Sequence, residues 1–170
     1  MFIVGIQAFC NKDHYIEYQV ANKSKLVEKG RKIQRADIKK RKEELRPQSW
    51  YLKEAQKWFN KFIRLRDENN ECISCGRDYA HGNGGKFSMF DAGHYRSIGA
   101  NPELRFEELN CNSQCVRCNR ELSGNVANYR INLIKKIGEE KLSWLEGPHK
   151  PKRYRIDDLK EIIAKYKAKC

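Results

Sequence analysis

The sequence predicts an α+β protein in which a small core, stapled by cysteines, is flanked by long helices. Three observations predict it. Cys72 and Cys75 form one C-x-x-C pair and Cys115 and Cys118 a second, with 39 residues between them. Stretches on both sides of these pairs carry helical periodicity, whereas the run between them alternates and breaks as strands and loops do. Charge is segregated as well: the formal net charge is +13, with 11 Lys/Arg against 4 Asp/Glu from Asn22 to Arg46 and 8 against 3 from Pro148 to Cys170. The rest of the chain is nearly neutral. Two basic arms around a balanced centre are the footprint of a protein that grips a polyanion. A chain of 170 residues forms one modest domain with extensions, a size at which a metal staple contributes usefully to stability.

The elements follow in order. Residues 1–21 are unassigned: "FIVGI" has the composition of a short strand, and Cys10 and His14 lack a second ligand pair nearby. Residues 22–46 form a basic helical arm with only Leu26, Val27, Ile33, Ile38 and Leu45 as large apolar residues, too few for a core face. Its Arg31, Lys32, Arg35, Lys39, Lys40, Arg41 and Lys42 are candidates for phosphate contact. Pro47 ends it. Residues 47–70 form an amphipathic aromatic helix with Ser49 as N-cap, in which Leu52, Ala55, Phe59, Phe62, Ile63 and Arg66 follow the i, i+3, i+4 rhythm. Trp50, Tyr51 and Trp58 widen that face, which is expected to be core and is a candidate dimer contact.

Residues 71–138 hold the core. "HGNGGKF" at 81–87 is turn-rich, with a solvated His81. "SMFDAGHYRSI" at 88–98 alternates as a strand does, and "GANPELRFEELN" reads as an irregular loop. A helix is expected to open at Asn119, with Val126, Arg130, Leu133, Ile134 and Ile137 on one face and Gly138 as its stop. Residues 139–170 form a basic C-terminal helical region. "EEKLSWLEG" leads to a linker with His149, Lys152, Arg153 and Arg155, and a final helix from near Asp157 buries Leu159, Ile162, Ile163 and Tyr166.

The four paired cysteines carry the strongest signal. A two-residue gap lets both sulfurs of a pair reach one ion at tetrahedral angles, so two pairs close a structural zinc site. Cys111, four residues before Cys115, competes for a ligand place but breaks the pairing. Such spacing points to metal rather than disulfides and to a reducing compartment. With no apolar run long enough for a membrane span, the expected protein is soluble and cytoplasmic.

Three further residues stand out: His94 in "DAGHY", Asn110 in "ELNCNSQC" and Asn119 in "CVRCNRE". Strand, loop and helix clamped by two C-x-x-C pairs resemble the HNH, or ββα-metal, nucleases. The resemblance implies that His94 activates water as general base, that Asn110 fixes the loop carrying it, and that Asn119 binds a catalytic divalent ion. An Asn in place of the third His is similar to endonucleases like the phage endonuclease VII resolvase. Its amide oxygen suits magnesium or manganese. Asp91 is the second ligand; the commoner pattern has an acidic residue directly before the His, a place taken here by Gly93, so a bulge at Ala92 and Gly93 is expected to turn Asp91 inward. Glu121, on the first turn after Asn119, is a further candidate ligand, or simply favourable charge at a helix start.

The strings "CISCG", "DAGHYRS", "ELRFEELN", "QCVRCN" and "SGNVANYR", with "RPQSWYLKEAQKWFNKFIRLRD" upstream, look like the phage NinG/Rap family of recombination endonucleases over roughly residues 46–170. Residues 1–21 do not share that family's basic N-terminus. Leu122 stands where a Lys is expected before "SGN", leaving Arg120 for a phosphate contact; Arg96 is a second candidate. The resemblance implies a zinc-stapled HNH-like core and cutting of branched DNA, such as Holliday junctions and D-loops. It further implies 5′-phosphate and 3′-hydroxyl products; because symmetric cutting of a junction calls for two active sites, a homodimer is expected, and phage or host recombination proteins are candidate partners. Two other readings remain: a non-catalytic zinc-ribbon DNA-binding protein, and a sequence-specific HNH nuclease.

Overall fold

The computed structural model of the protein describes residues 2–4, 7–78 and 90–170. His81 and the turn-rich run 81–87 lie outside the described residues. The chain divides into two compact units, Met1–Arg46 and Pro47–Cys170.

In the first unit β1 (Phe2–Val4) pairs antiparallel with β2 (Gln7–Phe9), and α1 runs from Lys12 to Glu44. The helix starts well before Asn22, where the charge pattern places the arm. Its start is set by Asn11, whose side-chain oxygen accepts the His14 amide at 2.9 Å, the bond expected of an N-cap. The Phe9 ring rests against Tyr15 and Tyr18, with centroids 5.2 and 5.4 Å apart. No residue of α1 is buried. Arg31, Lys32, Arg35, Lys39, Lys40, Arg41 and Lys42 are all exposed.

In the second unit α2 spans Gln48–Arg66 and follows directly on Pro47, whose extended backbone forms the N-cap in place of Ser49. Its buried face is Tyr51, Ala55, Phe59 and Ile63. That face is covered mainly by α5 (Ile156–Ala168), which buries Leu159, Ile163 and Tyr166; the Phe59 and Tyr166 rings meet at 5.0 Å. The apolar side of the aromatic helix is thus used within the chain, which leaves little of it for a dimer.

Among the described residues the central sheet has two antiparallel strands, β3 (Phe90–His94) and β4 (Cys111–Cys115), in unbroken register from Phe90 opposite Cys115 to His94 opposite Cys111. The second strand is absent from the sequence reading because "CNSQC" is polar, yet all five of its residues are buried. Burial of polar groups is tolerable only when they are hydrogen-bonded. Asn112 donates to the Tyr129 hydroxyl at 3.1 Å, and Gln114 donates to Ser74 Oγ at 2.7 Å and the Gly124 carbonyl at 2.6 Å. A π-helical turn at Arg117–Glu121 follows, then α3 (Val126–Ile137) and α4 (Glu139–Glu146). Asn119 therefore lies on that turn rather than on the long helix. Ser123, Gly124 and Asn125 separate the two with φ of 50°, 88° and 44°. Tyr95, Leu104, Tyr129, Leu133, Leu142 and Leu145 form a core cluster beside the sheet.

Asp67, at the C-terminus of α2, ties these layers together. It is 2% exposed and accepts from Arg66 at 3.0 and 2.7 Å, from the Ser113 amide at 3.0 Å and from Lys136 at 3.2 Å. Burial alone raises its carboxyl pKa, but the Arg66 and Lys136 interactions outweigh this and hold it below the usual range. Its stabilisation is therefore present above the ordinary Asp pKa and is lost as the pH falls through the folded value. Asp67→Asn is expected to cost about 2–4 kcal/mol in urea unfolding, because it leaves two cations and a strand amide short of an anion. A change below about 0.5 kcal/mol would contradict this role.

Candidate functional site

Cys72 and Cys75 stand on the loop after α2, Cys115 ends β4, and Cys118 lies in the π turn. Their sulfurs all lie within 4.8 Å of one another, with Cys75 and Cys115 at 3.8 Å. Ligands about 2.3 Å from a tetrahedral zinc stand about 3.8 Å apart, so the donor set fits that ion. The loop is pinned to the sheet by the Ile73 amide, which donates to the Ser113 carbonyl at 3.1 Å. Amide donors also surround the sulfurs: the Cys115 N–H points to Cys72 at 3.3 Å and Asn125 Nδ2 to Cys118 at 3.5 Å, an arrangement that stabilises thiolates. Cys111 does not join the four. It is buried at the other end of β4 with Phe59, Ile63 and Tyr166, and burial pushes its thiol pKa far up.

Asp91, Asn119 and Arg120 come together on one side of β3. Asn119 Nδ2 donates to Asp91 Oδ2 at 2.9 Å, while Arg120 donates from Nε to Oδ2 at 2.7 Å and from Nη2 to Oδ1 at 2.8 Å. Burial alone raises the Asp91 carboxyl; the Arg120 and Asn119 bonds outweigh it and hold the group below its ordinary value. No bulge is needed to bring Asp91 there, because the strand register is unbroken at Ala92 and Gly93. The glycine has a different cause. A Cβ on Gly93 would lie 2.2 Å from Gln114 Oε1 and 2.9 Å from Gln114 Cβ. A side chain before His94 is thus excluded by the buried Gln114 amide. Gly93→Ala is expected to destabilise the fold by about 1–3 kcal/mol, read as a lower urea midpoint; an unchanged midpoint would show that Gln114 yields freely.

His94 ends β3. It lies three positions after Asp91, an odd offset, so the two project to opposite faces of the strand. Its Nε2 lies 2.9 Å from the Arg105 carbonyl and its Nδ1 3.7 Å from Cys111 Sγ. A carbonyl only accepts, so Nε2 carries the proton and Nδ1 of the neutral ring holds the basic lone pair, which faces the Cys111 thiol. Burial lowers the imidazole pKa, and the Arg105 hydrogen bond opposes this only in part. Asn110 is fully buried; its oxygen accepts the Arg96 amide at 2.7 Å, and its Nδ2 donates to the Arg96 and Leu104 carbonyls at 3.0 and 3.2 Å. It clasps both ends of the loop that presents the Arg105 carbonyl to His94. No sequence signal marks Arg105, since its contribution is a backbone oxygen.

The remaining expected residues are scattered. Among the described residues, no hydrogen bond joins His94 to Asp91 or Asn119. Glu121 is exposed, and among the described residues no hydrogen bond or ion pair joins it to Asp91 or Asn119. Arg96 lies beyond the end of β3 rather than on its face, with Nη2 donating to Asn101 Oδ1 at 3.3 Å. Lys152 sits over the Tyr154 ring at 4.9 Å, and Arg153 and Arg155 are exposed.

Fold and site together define a mixed α+β protein with a four-cysteine centre that could hold a metal, beside a carboxylate–amide pair. Residues 4–170 match the family model described as Bacteriophage Lambda NinG protein. The chain is 37% identical over 174 residues to Protein ninG of Escherichia phage 933W, a match covering 96% of this chain and 83% of that protein. It is 43% identical over 132 residues to Protein ninG of Escherichia phage lambda, covering 78% of this chain and 61% of that one. The figures for Protein ninG of Salmonella phage P22 are 42% over 132 residues, 78% and 62%. The chain belongs to the NinG family of bacteriophage proteins. The family match includes most of residues 1–21, which the sequence reading places outside the resemblance. No solved structure matches the chain significantly. Among the described residues no helix is long and apolar enough to cross a membrane.

Proposed function

We propose that this protein is a metal-dependent endonuclease of the HNH type that cuts branched DNA, such as Holliday junctions and D-loops. The observation that carries the reading is the His94 ring, held by the Arg105 carbonyl with Nδ1 as its basic nitrogen, on the hairpin that also presents Asp91 to Asn119. Asn110 positions the loop and does not touch substrate. The 2.9 Å contact between Asp91 Oδ2 and Asn119 Nδ2 is about the spacing of adjacent ligands on magnesium at about 2.1 Å. Turning the Asn119 amide over exchanges its oxygen and nitrogen with little change of shape, so both residues can offer hard oxygens to one magnesium or manganese ion. Such an ion supplies charge neutralisation at a scissile phosphate and its leaving 3′ oxygen.

Within the chain, His94 Nδ1 takes the proton of the attacking water. Asp91 and His94 lie on opposite faces of β3, so the reading requires the phosphate to reach both faces of the strand. Arg96, Arg120, the basic face of α1 and Lys152, Arg153 and Arg155 supply phosphate contacts. The zinc is structural. Symmetric cutting calls for two copies of the chain, acting in the cytoplasm of the bacterial host, with phage or host recombination proteins as further partners.

The test is a labelled four-way junction, with linear duplex as control, treated with the unaltered protein and with Asn119→Ala in magnesium and in manganese. Junction-selective cutting that is lost in the variant, with zinc content and DNA binding kept, is the expected result. Salt-sensitive binding without cutting would leave a zinc-ribbon DNA-binding protein. Cutting of the linear duplex at fixed sites would instead indicate a sequence-specific nuclease.

A further inference from the structure

We propose that Arg120 competes with the divalent cation for Asp91 and moves onto a substrate phosphate when the ion binds. The inference rests on the nuclease reading and assigns it a coupling between metal and DNA. Arg120 covers both carboxylate oxygens of Asp91, with Nε on Oδ2 at 2.7 Å and Nη2 on Oδ1 at 2.8 Å. A forked guanidinium and a metal ion that uses one of those oxygens are therefore alternatives on the same atoms.

The two partners are unequally anchored. The Asp91 side chain is 22% exposed and fixed on β3, whereas that of Arg120 is 66% exposed. Rotation of Arg120 about its own side-chain bonds frees Asp91 without moving the backbone of the π turn, and Asn119 stays where it is. An exposed ion pair of this kind is weak, so it can be exchanged. A divalent charge beside the guanidinium repels it, and a nearby phosphate offers a bidentate partner of equal geometry. Metal binding then releases a phosphate ligand, and phosphate binding uncovers the metal position. By linkage, each must tighten the other.

The first experiment is calorimetric titration of manganese into the zinc-loaded protein without DNA. Arg120→Gln is expected to bind manganese about three- to tenfold more tightly than the unaltered chain, and Arg120→Lys, which keeps the charge but not the fork, falls between. Equal or weaker binding by Arg120→Gln overturns the inference, provided that Asp91→Asn abolishes binding. If Asp91→Asn binds as before, the metal assignment of Asp91 itself has failed, a distinct outcome.

The second experiment measures junction affinity by anisotropy in a His94→Ala background, which keeps the DNA whole. Manganese is expected to raise affinity with Arg120 present and to do so much less in Arg120→Gln. The salt slope of Arg120→Gln in manganese should be shallower by about one phosphate contact. Full manganese dependence in Arg120→Gln overturns the transfer of Arg120 to phosphate. Melting curves matching that of the unaltered chain confirm that each variant is folded.

Discussion

Replacing His94 with alanine is expected to lower junction cleavage by about 10²–10⁴-fold, the usual contribution of a positioned general base, with little change in DNA affinity or zinc content. The proposed phosphate contacts lie elsewhere, and His94 is not among the four residues that could hold the zinc. The pH profile sharpens the test. Burial lowers the pKa of His94 below the ordinary histidine value of 6.5, so the basic form already prevails at neutral pH. Cleavage should rise with pH along a limb centred below that value and level off above it; the alanine variant should lack the limb. The same shift has a stability consequence of matching sign. With the folded pKa depressed, the unfolded chain takes up the proton more readily, so this group disfavours folding as the pH falls below the unfolded value. A His94→Ala protein that cuts at the unaltered rate would remove His94 from the chemistry, whatever its hydrogen bonds.

Loss of the zinc that the four cysteines could hold is expected to be the most destabilising change available to the second unit. Structural zinc in small modules contributes about 10–16 kcal/mol of apparent binding free energy, against a total stability of about 5–15 kcal/mol for a typical domain. Here the ion would join the loop after α2 to the end of β4 and to the turn carrying Asn119. Three of the four cysteines are buried, so the metal-free form keeps thiols packed together without the bond that holds them. Chelation, or Cys115→Ser, should therefore lower the melting temperature sharply and release Asn119 from Asp91. The Tyr129, Leu133, Leu142 and Leu145 cluster uses none of the cysteines, so helical circular dichroism should persist longer than DNA cleavage does. Identical melting curves after zinc has been removed, with removal verified by metal analysis, would show that the cysteines are not a structural site.

The residues readable in advance are those whose roles follow from short-range spacing. Two C-x-x-C pairs announce one metal centre because each pair alone presents two sulfurs at workable geometry, and the paired sets meet as expected. The buried positions Ala55, Phe59 and Ile63 of α2, and Leu159, Ile163 and Tyr166 of α5, follow from helical periodicity. The early start of α1 had a local signal in Asn11, but the charge pattern of the arm drew the boundary to Asn22.

What escaped the sequence depends on partners far along the chain. The strand Cys111–Cys115 reads as a polar loop until Tyr129, Ser74 and Gly124 are brought to its side chains. Gly93 reads as a departure from a motif until Gln114 is seen to fill the space of a Cβ. Asn119 reads as the start of a helix until three left-handed residues separate its turn from α3. By itself, then, the sequence determined the four cysteines that could hold a metal, the helical faces and the membership of the chain in its family, because these are properties of local order and composition. Only the tertiary structure decided which nitrogen of His94 is basic, which cation neutralises Asp91, and which polar strand is buried. Each of those is settled by a hydrogen bond to a group that is distant in the chain, and periodicity carries no information about such groups.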